Sequence, residues 1–445
     1  MRIIIVGGIA AGMSAAAKLK RLQPEYEVVV YEKGDIISFG ACGLPYFVGG
    51  FFDDANNMIA RTPEKFRETG VELFTNHEVL SVDFDNKSIE IKDIKSDIVI
   101  TDTYDKLMIA TGASAIIPPI ENVFEYENVH TLKSMEDGVK IKELVQGNDI
   151  KNVCVVGAGF IGLETVEAMK KLGKNVSLVQ MGERVLQEVF DKEITDLIEE
   201  ELNSHEVDLR LKTIVTKLEG DTKVRKVITN KGEIDADLVI VSTGVRPNTK
   251  FLDNSKIEML GNGAIIIDDG GRTSVEDVFS AGDCATIKNY ITNEKVYVPL
   301  ATGANKLGRI VGENLAGLNS EYQGSLSSSC LKVIDMEAAR TGLSEEDAKK
   351  LGINYGAKFI NDMNYTNYYP GRTKIYVKLV YDKDTKVILG GQVCGYKDAV
   401  QRANIIACAV FSKMTTNQLG MLDVCYAPPF ARTWDVLNVA ANVCK

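Results

Sequence analysis

Short runs of β-branched and aliphatic residues that end in glycine recur along the chain. Residues 2–32 read RIIIVGG, then AAGMSAAAKLKRL, then EVVVYE. The outer segments lack polar alternation, which predicts parallel strands covered on both faces. The middle segment predicts a helix from about Ala11. Residues 152–180 repeat the order as NVCVVGAG, FIGLETVEAMKKLG and NVSLVQ. Two such units about 150 residues apart predict two nucleotide-binding domains. After each unit comes another strand running into glycine, YDKLMIATGA (104–113) and ADLVIVSTGVRPN (236–248), which suggests a duplicated architecture. From about residue 320 the grammar changes: KIYVKLVYD and VILGGQVCG predict strands, Asp398–Phe411 predicts an apolar helix, and no glycine fingerprint occurs. The expected fold class is α/β, with two Rossmann-like dinucleotide-binding domains and an α+β C-terminal domain.

GAGFIGLE sets Gly157, Gly159 and Gly162 at full G-x-G-x-x-G spacing between a strand and a helix. The first glycine permits the tight turn, the second lets a pyrophosphate approach the backbone, and the third lets helix and strand pack closely. The anion then meets the unpaired N–H groups of the helix start. Gln180 ends the following strand, where an acid often binds the ribose hydroxyl, and Arg184 and Lys174 are near; NADH or NADPH is left open, with a lean to NADH. In the first unit Gly7, Gly8 and Gly12 are present, but Ile9 fills the second-glycine position. Glu32 stands where a ribose hydroxyl is expected. Thr111, Gly112 and Gly244 at the later turns, and Glu164 beyond the second fingerprint, are further candidate cofactor positions. Two dinucleotide sites suggest a flavin and a nicotinamide. SVEDVFSAGDCA supports the flavin by placing Asp283 at a strand end, within reach of ribityl or pyrophosphate-linked hydroxyls.

Composition narrows the class. Apolar residues make up 45% and charged residues 25% of 445, as in a folded globular chain. The net charge of −11 argues against nucleic acid or an anionic membrane as partner. Residues 3–17 could pass for a short signal peptide, but they run without a spacer into KLKRL and EVVVYE; a strand, turn and helix of a cytoplasmic protein is the preferred reading. No two of the eight cysteines lie within ten positions, and the only histidines are at 77, 130 and 205, so neither zinc spacing nor a C-x-x-C pair is present and no metal is expected.

One cysteine stands apart. Cys42 lies in SFGACGLPYF, shortly after the second strand of the first unit and beside glycines and Pro45. A thiol at such a turn can become a nucleophile. A dithiol reductase would carry a second cysteine a few positions on, yet position 47 is Phe47. The thiol is therefore expected to cycle through a mixed disulfide with a small thiol, or through a sulfenic acid. The other seven cysteines read as inert.

These segments, with TPEKF, TGVRPN, NYYPG and YAPPF, make the whole chain resemble the single-cysteine class of pyridine nucleotide–disulfide oxidoreductases, within it most of all the coenzyme A disulfide reductases. The resemblance implies an FAD-binding domain over 1–112 and 245–320, an NAD(P)-binding domain over 113–244 and a dimerisation domain over 321–445. It implies a homodimer with the active site at the interface, Cys42 as the redox-active residue, and NADH or NADPH reducing FAD, which reduces a Cys42–S–S–CoA disulfide. Tyr369 and Tyr426 are implied catalytic acids for the departing thiolate, with Tyr368 beside the substrate. Lys18, Arg21 and Ser38 are implied contacts of coenzyme A, although Ala41 stands where related reductases can carry asparagine. NADH oxidases and peroxidases of the class are the alternative. They carry a histidine in the first glycine loop, where this chain has Ala10 and Ala11. A flavoprotein redox sensor acting through a partner is the third reading.

Overall fold

The computed structural model describes residues 1–147 and 149–445, which divide into two compact units. The first comprises Met1–Leu44, Asp54–Ile116 and Val245–Ser325. Its centre is a five-stranded parallel sheet in the order Val278–Ser280, Lys106–Ile109, Arg2–Val6, Glu27–Glu32, Val71–Thr75. The absence of alternation in the sequence has its cause here: Ile3–Ile5, Val28–Val30 and Leu107–Ile109 are all fully buried. Helix α1 (Ala10–Leu22) crosses the sheet against the helix Ala301–Leu315. The two can approach because Gly308 and Gly312 carry no side chain. A Cβ on Gly308 would lie 2.5 Å from the Ala11 oxygen, and one on Gly312 2.6 Å from that of Ala15.

The second unit comprises Pro45–Asp53, Ile117–Gly244 and Leu326–Lys445. It contains the short helix α2 (Leu44–Val48, from its second residue on), α3 (Met135–Gln146) and α4 (Phe160–Lys171). Its parallel sheet runs Asp208–Arg210, Asn175–Val179, Asn152–Val156, Leu238–Val241, Val129–Thr131. The C-terminal part is a five-stranded antiparallel sheet in the order Ser329–Val333, Met336–Gly342, Ile388–Gly395, Lys374–Asp382, Tyr355–Met363. The helix Ala399–Phe411 packs on it, beginning one residue later than the sequence suggests because Asp398 adopts a left-handed conformation (φ 65°). Among the described residues no helix is long and apolar enough to cross a membrane.

Residues 326–445 fold with 117–244 around a buried polar node. The Asp191 carboxylate, 2% exposed, accepts from Gln392 Nε2 at 2.7 Å and from the backbone N–H groups of Glu345 and Glu346 at 3.0 and 3.2 Å. Lys378 Nζ lies 3.3 Å from Asp191 and 2.7 Å from both Glu193 and Glu345, on a side chain only 3% exposed. One cation thus serves three carboxylates drawn from two sequence regions. Lys378→Met leaves them facing one another, and urea unfolding should show a loss of about 3–5 kcal/mol. A loss below about 1 kcal/mol, the range of an exposed pair, would mean that the node is not what joins the two regions.

Candidate active site and cofactor cradles

The two glycine loops are built alike. Gly7 and Gly157 both have φ 108°, in the region that favours glycine. A Cβ on Gly7 would stand 2.2 Å from the Ala110 oxygen, and one on Gly157 2.5 Å from that of Ser242. Gly12 and Gly162 press onto the same turns, since a Cβ on either would lie 1.9 Å from the oxygen of Gly7 or Gly157. Ile9 leaves this frame intact: it occupies the N-cap of α1, while Gly8 is confined by Ile37 and Glu32.

The strand-end residues also correspond. Glu32 accepts from the Gly8 N–H at 2.6 Å and the Gly34 N–H at 2.7 Å. Gln180 Oε1 accepts from the Ala158 N–H at 3.3 Å. Both side chains therefore brace the loop above them. Neither cation near Gln180 is available to a 2′-phosphate: Arg184 donates to Phe190 O, Thr195 Oγ1 and Glu346, and Lys174 donates to Ile150 O.

Thr111 and Gly112 are held by Asn248, a residue the sequence reading left unassigned. Thr111 Oγ1 donates to Asn248 O at 2.6 Å, Asn248 Nδ2 donates to Thr111 O at 3.0 Å, and the Asn248 N–H donates to Gly112 O at 2.9 Å. Gly112 has φ 65° and its counterpart Gly244 φ 110°. Asp283 follows Gly282, whose missing Cβ would lie 3.1 Å from Ala11, so the Asp283 loop reaches the start of α1.

These cradles suit dinucleotides. Neither α1 nor α4 has a side-chain cap or an acid in its first turn, so the amides at both helix starts face outward with the positive end of the dipole. Around Gly159 and Gly112 a Cβ would meet nothing within 4 Å, which is open space at the points where a phosphate or ribose must approach.

Cys42 is exposed, in the single turn Ala41–Gly43 that runs into α2. Of the seven cysteines read as inert, Cys154, Cys284, Cys394 and Cys444 are buried, and burial pushes the Cys154 pKa up to about 12, but Cys330, Cys408 and Cys425 are exposed, so burial does not set them apart from Cys42. Ser38 adopts φ 50°, its N–H donates to Gly8 O at 2.9 Å and its carbonyl accepts from Ala60, so it joins the first glycine loop to the strand of chain before Cys42. Lys18 is paired with Glu313 at 2.9 Å, and Arg21 is exposed with Nε donating to Ala17 O.

In the C-terminal region the NYYPG and YAPPF motifs meet. The hydroxyls of Tyr368 and Tyr426 lie 3.0 Å apart, and this bond holds the Tyr426 proton more firmly than in a lone phenol. Tyr369, the sequence candidate, instead stacks edge-on against Tyr365 with ring centres 5.8 Å apart. Phe430 and Trp434 stand nearby in sequence and are also exposed.

Glu164 sits on α4 one turn before Glu167. Burial, followed by repulsion from Glu167, raises its pKa from 4.5 to about 7, while the Tyr46 hydroxyl at 3.5 Å opposes the shift. Glu167 pairs with Lys332 at 3.1 Å, and its second oxygen is buried with no hydrogen-bond partner among the described residues. Tyr46 was legible only as the residue one helical turn after Cys42. The raised value has a thermodynamic consequence. Between pH 4.5 and 7 the folded carboxyl keeps a proton that the unfolded one has lost, so this group makes stability fall as pH rises through that window. Glu164→Gln should therefore raise the melting temperature of the holoenzyme at pH 8 and change it little at pH 5. A gain of equal size at both values would contradict the assignment.

Known proteins match this architecture end to end. The profile of the pyridine nucleotide-disulphide oxidoreductases covers residues 1–308, and that of their dimerisation domain covers 328–436. The chain is 40% identical over 444 residues to the CoA-dependent NAD(P)H sulfur oxidoreductase of Pyrococcus abyssi, covering 100% of this chain and 98% of that protein. The structure of reduced CoADR-RHD from Bacillus anthracis superimposes with a TM-score of 0.95 at 31% identity, covering 99% of this chain and 79% of that one. The NADH-bound water-forming NADH oxidase of Lactobacillus brevis does so with a TM-score of 0.95 at 34% identity, covering 99% and 97%. With both glycine cradles, the exposed thiol and the C-terminal sheet all inside the matched regions, the chain belongs to the pyridine nucleotide-disulphide oxidoreductase family.

Proposed function

We propose that this oxidoreductase reduces sulfur bound to coenzyme A, as CoA disulfide or a CoA persulfide or polysulfide, with NADH or NADPH and through Cys42. The observation that carries the reading is an exposed thiol at the turn into α2 with no cysteine close to it in sequence. Cys42 has no neighbouring cysteine in sequence with which to form an internal disulfide, so exchange has to be completed with a small thiol. The Pyrococcus abyssi relative, named as CoA-dependent, supports coenzyme A as that thiol.

The Cys42 thiolate attacks one sulfur of CoA disulfide, the S–S bond breaks, and one CoA leaves as thiolate while Cys42–S–S–CoA forms. Gly7, Gly8, Gly12, Glu32, Thr111, Gly112 and Asp283 would hold FAD, and Gly157, Gly159, Gly162, Glu164, Gln180 and Gly244 would hold NAD(P)H, which together would supply the electron pair that breaks the Cys42–S–S–CoA bond, freeing the second CoA as thiolate and returning Cys42 to its thiolate. In a homodimer formed through the C-terminal region, Tyr426 or Tyr369 protonates the leaving thiolate from the other protomer, and Tyr368 orients Tyr426 through their shared hydrogen bond. Arg21 and Ser38 contact the coenzyme, and Lys18 joins them by exchanging Glu313 for a phosphate oxygen. The engagement of Arg184 and Lys174 with groups other than Gln180 favours NADH. The chain is proposed to work in the cytoplasm.

The second reading is a water-forming NADH oxidase with a Cys42 sulfenic acid, favoured by the likeness to the Lactobacillus brevis enzyme. Ala10 and Ala11, in place of the loop histidine, count against it. Intact mass under non-reducing conditions separates the two. Freshly purified protein should be heavier by one CoA, the increment vanishing with dithiothreitol and in Cys42→Ser. An unmodified or singly oxygenated Cys42 would overturn the reductase reading in favour of the oxidase.

A further inference from the structure

The chain changes unit just after Cys42. Leu44 closes the first segment of the first unit, and Pro45–Asp53 packs within the second. Two lysines hold that segment. Lys171, at the end of α4, donates to Gly49 O at 3.0 Å and Gly50 O at 2.9 Å, with its ammonium 4.0 Å from the Phe51 ring centre. Lys142, on α3, donates to Phe52 O at 3.0 Å, reaches Asp53 at 3.3 Å and stands 4.1 Å from the centre of the Phe47 ring. Between them the backbone lies flat on α4, because a Cβ on Gly49 would come within 3.0 Å of Ala168.

Both lysines do the same two things. Lys171 satisfies two carbonyls directly after α2 and Lys142 one a little further on, and each covers an aromatic face. The Lys142 side chain is only 10% exposed, so its charge has been largely withdrawn from water to make these contacts. Apolar packing would hold a loop at lower desolvation cost. What two ammonium groups add is a fixed direction for three named carbonyls, and hence for the helix that precedes them.

We propose that Lys142 and Lys171 are positioning residues for the Cys42 thiol: α2 begins two residues after Cys42, and the two lysines pin its far end to α3 and α4. This rests on the reading of Cys42 as the working thiol. Neither lysine contacts substrate in this account. Each acts by fixing the segment through which the chain continues from the nucleophile.

The test is the pH profile of Cys42 alkylation by iodoacetamide in the reduced holoenzyme, followed by peptide mass spectrometry. It is run for wild type, Lys171→Met, Lys142→Met, Lys171→Arg and Gly49→Ala. The methionine variants should shift the profile and lower kcat on CoA disulfide on the order of 10–100-fold, the scale of a nucleophile displaced by about 1 Å. KM for NADH should stay unchanged, and Lys171→Arg should restore most of the loss. Gly49→Ala lifts the segment from α4 without removing a charge. It should reproduce the alkylation shift, and it decides the matter if a methionine variant fails to fold. Wild-type alkylation profiles in all variants would overturn the proposal, whatever the melting temperatures do. If Cys42→Ser keeps full turnover, the functional reading fails instead, while the alkylation profiles still decide whether the lysines position the thiol.

Discussion

Backbone crowding at the ends of two parallel sheets governs this protein. At Gly7 and Gly157 the turn leaving a strand passes so close to the carbonyl of a neighbouring strand end that no side chain fits. That contact presses α1 and α4 against their sheets with their first amides outward. Every later feature of the cradles follows from it. Glu32 and Gln180 can reach the loop amides only because the loop lies over the end of the adjacent strand. The strands that supply these carbonyls run on into the turns at Gly112 and Gly244, both with positive φ. Elsewhere in the same sheets full burial asks only for aliphatic bulk, and the sequence is correspondingly monotonous.

That monotony made the scaffold legible. RIIIV, EVVVY, NVCVV and LVIV announce parallel strands because no face needs a polar residue. The glycine spacing announces the turns because only one residue type fits them. Two of the five strands of the C-terminal sheet, Lys374–Asp382 and Ile388–Gly395, were readable as β-rich runs, while the other three were not singled out. Contacts between distant residues were not readable. Nothing local marks Lys378 as the partner of Asp191, 187 positions earlier, or Gln392 as its hydrogen-bond donor. The same holds for Asn248 gripping Thr111 and Gly112. Tyr368, not Tyr369, turned out to share a hydrogen bond with Tyr426, because adjacent residues in a loop point in different directions and sequence alone does not rank them.

Several of the candidate site residues lie where local rules are broken. Glu164 and Glu167 place two acids on one buried helix face, which a purely structural helix would avoid. Ser38 takes a left-handed conformation beside the first glycine loop. Cys42 stays exposed, whereas Cys154 is sealed in a sheet. The cradles are duplicated, but this thiol segment occurs once, which fits a single reaction served by two nucleotide sites.

In the proposed reaction, electrons from the nicotinamide end on sulfur through one thiol. Anaerobic turnover with limiting NADH and excess CoA disulfide tests it most directly, with free thiol and residual NADH counted in the same sample. Two CoA thiols should be released for each NADH oxidised, as a two-electron disulfide reduction requires. NADH that is consumed only after oxygen is admitted, with no thiol released, would contradict it.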